Sequence, residues 1–126
     1  MSTLKVQEVK SGPAATPVNL MSGLIKAAVA FNGIGTVAII TSNNITSITD
    51  NGPGNYTLTQ TNTFSAIDYP TSTSGTASDT SSVNNGCTTS CYNRGTTSAS
   101  MNTGNNQTDV LGDLSFTTLC CMGDLA

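Results

Sequence analysis

The chain has no histidine and no tryptophan, and only Lys5, Lys10, Lys26 and Arg94 are cationic. Each shortage excludes a class of function. Without histidine, no ordinary general base stands ready to activate a serine or cysteine nucleophile, and no imidazole can complete a zinc site. Four scattered cations under a net charge of −3 make no basic patch for phosphates, so nucleic-acid binding is not expected. No run approaches the ~20 apolar residues that cross a bilayer. The richest, residues 20–40, is broken by Gly23, Lys26, Asn32, Gly33 and Gly35. Lys5, Glu8 and Lys10 precede no apolar segment of the secretory kind, so the expectations are no signal peptide, no membrane insertion and synthesis in a cytosol.

What the chain has instead is Ser, Thr and Asn, which fill 50 of its 126 positions, while charged residues make up 9%. Threonine suits a pleated, half-solvated surface, and the length suits one domain, so the expected class is all-β. Residues 24–64 carry the clearest pattern. Ile25, Ala27, Val29 and Phe31 alternate on one side, Asn32-Gly33-Ile34-Gly35 tolerates φ > 0, and residues 36–41 run back as a hairpin. A third run, Ile45 to Thr49, ends at the Gly/Pro-rich turn 50–55, after which Tyr56, Leu58 and Gln60 alternate with Thr57 and Thr59. Read locally, these four strands make an antiparallel meander.

The remaining segments are read more coarsely. Residues 1–20 read as an arm or, equally on composition, a frayed terminus, with one strand at Leu4 to Val9 and extended backbone imposed by Pro13 and Pro17. The β-sandwich domain is expected over 21–126. Ile67 and Tyr69 before Pro70 suggest a short edge strand. Residues 71–108 hold almost no large apolar side chain, which suits either a disordered segment or, as the preferred reading, Thr/Ser-rich strands with turns at 84–86 and 93–95. The closing run 114–122 reads as a central strand with Leu114, Phe116, Cys120 and Met122 on one face. Ordering a residue costs roughly 1–2 kcal/mol and burial returns about 25 cal/mol per Å², so a chain this poor in apolar mass is expected to have its core completed by other subunits. The candidate contacts are Ile25, Val29, Phe31, Val37, Ile39 and Phe116.

Chemistry-bearing residues are sparse. Cys87 and Cys91 are placed in a loop and Cys120 and Cys121 in the last strand, without the Cys-x-x-Cys spacing of a metal site. A Cys87–Cys91 disulfide across a tight loop is the alternative. The carboxylates Glu8, Asp50, Asp68, Asp79, Asp109, Asp113 and Asp124 are scattered over turns and ends. A Ca²⁺ site from Asp109, Asp113 and Asp124 in an oligomer rests on spacing alone. No catalytic residue, cofactor or metal is therefore expected. The Asn-x-Thr triplets at Asn44, Asn55 and Asn106 are at the frequency chance gives in so Asn- and Thr-rich a chain. The best aromatic for contact with a ligand is Tyr92, beside Asn93 and Arg94 in an expected loop.

The string IKAAVAFNGIGTVAIITSNNITSITDNGPGNYTLT resembles the "KAWVNFNGTGTVAI…NVSSITDNGTGDYTV" domain of bacteriophage tail-fibre-like and other virion proteins, frequent in marine phages. The lead-in TLKVQEVKSG and the closing LCCMGDLA are similar to the ends of those proteins, whereas residues 71–108 show no such match. Ala28 replaces the usual Trp, and Ile40-Thr41 replaces a common Arg-Asp. The resemblance implies a β-rich, non-enzymatic, trimeric module on the outside of a phage particle, assembled in the host cytoplasm. A capsid decoration protein, or a short head or tail fibre or spike, is the first expectation, with the major capsid protein or a tail protein as partner. The alternative is a host-attachment module that binds surface glycan through Tyr92, Asn93 and Arg94.

Overall fold

Among residues 8–9, 18–19, 24–76, 87–105 and 110–126, which the computed structural model describes, every regular element is a β-strand. Within the expected arm, β1 (Glu8–Val9) and β2 (Val18–Asn19) pair antiparallel, with Glu8 opposite Asn19. The remainder of the expected Leu4–Val9 strand, the expected turn at 84–86, Asp79 and Asp109 lie outside the described residues.

The first hairpin joins β3 (Ile25–Asn32) to β4 (Ala38–Asn43). Its turn is built by Asn32, whose Oδ1 accepts from Ile34 N at 3.0 Å and whose Nδ2 donates to Ile34 O at 3.1 Å, with Gly35 at φ 70°. The second hairpin joins β5 (Ile45–Asp50) to β6 (Asn55–Gln60). Asp50 Oδ1 accepts from Gly52 N at 2.9 Å, and Gly52 and Gly54 supply the positive φ.

The two hairpins do not continue one meander, as the local pattern suggests, but lie in different sheets. The chain turns the corner at Asn44, whose φ is 56°. Asn44 Oδ1 accepts from Asn62 N at 2.6 Å and its backbone carbonyl accepts from Thr61 N at 3.1 Å, which ties the corner to the far end of β6. One sheet has the order β4-β3-β11-β7, with β7 at Thr71–Thr76 and β11 at Phe116–Met122. The other runs β5-β6-β9, with β9 (Ser98–Asn105) flanked beyond by β8 (Cys87–Tyr92). The short β10 (Val110–Leu111) pairs with the end of β9. All pairings are antiparallel.

The sheets face each other across one interior. Ala27, Val29 and Phe31 of β3 and Leu119 and Cys121 of β11 meet Tyr56 and Leu58 of β6 and Met101 of β9. Complete burial of Phe31 contributes about 1.5–3 kcal/mol, and its ring meets Tyr56 edge-on at 5.0 Å between centroids. The Thr/Ser strands of 71–108 do form, with turn residues Asn93 at φ 47° and Gly95 N on Ser98 O. Where β7 and β8 come together, Thr89 Oγ1 donates to Thr73 Oγ1 at 2.9 Å, closing one side of the sandwich by hydroxyls instead of apolar packing.

Two local expectations are corrected. β11 is central, but its interior face is Thr117, Leu119 and Cys121, and Phe116 is exposed. The register with β3 puts these three opposite Phe31, Val29 and Ala27, while Leu114, buried ahead of the strand, is separated from it by the bend at Ser115. Residues 65–70 form no strand. Tyr69 turns inward, stacks on Phe64 at 4.3 Å and donates its hydroxyl to Gly95 O at 3.0 Å, so this segment plugs the end of the interior.

Candidate functional site

The residues expected to meet other subunits divide into two groups. Val29 and Phe31 are in the chain's own interior, and Val37 packs against it half-buried. Ile25, Ile39 and Phe116 remain exposed. The strand that carries Ile39 is the distinctive element: all six residues of β4 are exposed, Ile40 to 59%, and among the described residues no strand pairs with its outer edge. The pairing with β3 slips between Ala30 and Phe31, so Ile40 is the extra residue of a bulge and has no direct partner on β3. Sequence reasoning named Ile39 but passed over Ile40. Its signal was the loss of alternation in the consecutive apolar residues Val37 to Ile40.

Beside this edge, the outer face of the same sheet is apolar and low. Ala28, Ala30, Thr118 and Cys120, with Thr41 and Asn43 from β4, line a shallow trough of about 270 Å³. Small side chains on two central strands let another surface approach the backbone closely.

Tyr92, Asn93 and Arg94 are placed differently from a single contact loop. Tyr92 belongs to β8 and its hydroxyl donates to Asn55 Oδ1 at 3.1 Å. Tyr92 sits opposite Ser100 of β9 and Asn55 opposite Asn102, so the phenol spans the width of β9. Asn93 makes the turn and Arg94 is exposed beyond it. Asn55 and Asn102 were not singled out from sequence, since their meeting with Tyr92 depends on strand order.

The opposite end of β6 from Gln60 holds a polar latch. Tyr56 Oη and Gly54 N both donate to Asp113 Oδ1, at 2.7 and 2.8 Å. Burial first, then the Asp113 hydrogen bond and charge, keep the Tyr56 hydroxyl protonated far above the usual phenol range. At the other end, burial pushes the Cys121 thiol up to about 12, reinforced by Cys91 and Cys120 nearby. Such thiols are poor nucleophiles.

Asp113 and Asp124 lie at opposite ends of β11 and do not meet within the chain. Among the described residues no group of three His, Cys, Asp or Glu side chains gathers as for a metal, and no helix is long and apolar enough to cross a membrane. Cys87 and Cys91 both lie on β8, not in a loop. Asn44 and Asn55 are engaged in the hydrogen bonds above, and Asn106 lies outside the described residues. Compared with known proteins, the chain matches no family model, no curated protein and no solved structure.

Proposed function

We propose that this chain is a non-enzymatic structural protein of a bacteriophage exterior, a capsid decoration protein or a short fibre or spike, that works as a homotrimer seated on the major capsid protein or a tail protein. The observation that carries the reading is β4, a fully exposed edge strand with Ile39 and Ile40 on it and no partner on its outer side among the described residues. An exposed apolar edge is a template for pairing with another chain, and of the devices by which proteins that stay single blunt such edges, which are charge, proline, cover or a bulge, this strand has the bulge at Ile40 alone. Here the six residues Ala38–Asn43 include no charge and no proline. The trough beside it lets a neighbour pack onto the sheet as well as alongside it.

The resemblance of residues 25–59 to virion-protein domains gives this assembly its setting. Ile40-Thr41 stands where relatives of that kind carry Arg-Asp, which removes charge from the very strand that lies bare. Electron cryomicroscopy of particles with the chain and of particles lacking its gene tests the proposal. Threefold-related protrusions lost from the shell, or a short fibre lost from shell or tail, is the expected result. Particles identical in density would overturn it.

The host-attachment reading is favoured by one specific observation, the Tyr92 phenol held across the outer face of β9 by Asn55.

A further inference from the structure

The outer face of the β8-β9 pair carries an open groove of about 200 Å³ with an unusual division of chemistry. Its floor is Gly104, which faces Thr88 on β8 and Leu111 on β10. A side chain at Gly104 would fill the groove's floor and meet the β10 backbone, 2.5 Å from Val110 O. On one side stand the exposed hydroxyls of Thr88 and Ser90. On the other stands Leu111, directly opposite Gly104 and 43% exposed, with the backbone of Val110 beside it. Asn102, directly opposite Ser90, closes one end, with Asn55 and the Tyr92 ring on its far side.

Asn102 marks the groove as unfinished. Its Oδ1 is shut off from solvent and accepts no hydrogen bond, and an unmade hydrogen bond at a buried carbonyl is unfavourable. A turn of the amide about its last torsion would exchange oxygen for nitrogen and free the carbonyl for a donor such as a ligand hydroxyl. Among the described residues no charged side chain lines the groove, so its lining there suits a neutral ligand. Its volume is below the roughly 300–1,000 Å³ of sites for drug-sized ligands.

We infer that this groove is a binding site for a single pyranose ring of a neutral glycan, with the sugar's C–H face on Leu111 and its hydroxyls on Ser90, Thr88 and the Asn102 amide. The inference deepens the host-attachment reading and rests on it, and it moves the site from the Tyr92–Arg94 turn to the face of the sheet.

The test is amide NMR of the isotopically labelled chain titrated with a panel of methyl pyranosides, neutral and N-acetylated, at millimolar concentration. One of them is expected to shift Ser90, Asn102, Gly104 and Leu111 together and saturably. Asn102→Ala, which removes the amide, and Ser90→Tyr, which fills the groove, are expected to weaken that binding at least about fivefold while retaining the dispersed spectrum of the folded chain. Shifts confined to Asn93 and Arg94 and unaffected by either variant would overturn the groove and leave the glycan reading standing on the turn. No saturable shift with any pyranoside would overturn both.

Discussion

Tyr56 and Asp113, which are 57 positions apart, share a 2.7 Å hydrogen bond, and the same carboxylate oxygen receives Gly54 N. This joins the start of β6 to the segment that leads into β11, and so couples the two facing sheets at one end. Tyr56→Phe keeps the ring against Phe31 and removes only the donor, so it is expected to cost about 1.5–3 kcal/mol, in line with a hydrogen bond to a charged acceptor. Urea unfolding at neutral pH measures it. Asp113→Ala should cost more, because it leaves two donors without their acceptor.

Gly33 touches the same latch. A Cβ there would lie inside contact distance of Tyr56 Oη and 3.1 Å from Leu114 O, so Gly33→Ala is expected to destabilise by about 1–3 kcal/mol through overpacking. The clash is with the hydroxyl first. The Gly33→Ala/Tyr56→Phe double variant should therefore lose less than the sum of the single losses, and a double-mutant cycle reads that coupling directly.

Burial raises the Cys121 thiol to about 12 and raises Cys91 as well. An unfolded thiol titrates near about 8.5. Between those values the folded chain binds more protons than the unfolded one, so stability falls as pH rises and is fully present below about 8.5. From about pH 8.5 to 10, before phenols contribute much, the decline should be shallower in the Cys91→Ala/Cys121→Ala variant. Chemical unfolding midpoints across that range show the slope, whatever the variant's starting stability.

Cys87 and Cys91 are four residues apart on one extended strand. At ~3.4 Å per residue their Cα atoms are roughly 13 Å apart, against the usual 4.4–6.8 Å of a disulfide. Alkylation after denaturation without reductant, read by mass, is expected to label both thiols, and recovery of a linked Cys87–Cys91 peptide from folded protein would contradict the strand.

How much of this was legible locally follows from where the determining contacts lie. The turns at Asn32–Gly35 and Asp50–Asn55 were readable because Asn32 and Asp50 bond their own backbone two residues on. The alternation of Ala27, Val29 and Phe31 gave the interior face of β3. The corner at Asn44 was not readable, since its partners are Thr61 and Asn62, and without it two hairpins look like a meander. The face of β11 was misread because the bend at Ser115 separates Leu114 from the strand's alternation. Of the candidate surfaces, Ile39 and Tyr92 were found from residue type, whereas Ile40, Asn55 and Asn102 acquire meaning only from register and sheet order.

The account turns most directly on the bare β4 edge, and sedimentation equilibrium of the purified chain beside Ile40→Lys tests it. Ile40 is exposed, so the substitution should change the fold's stability by no more than about 0.5 kcal/mol while placing a charge on the pairing edge. The account predicts a trimer for the parent chain and a folded monomer for Ile40→Lys. A parent chain that stays monomeric at every concentration, or a variant that still forms the trimer, would contradict it.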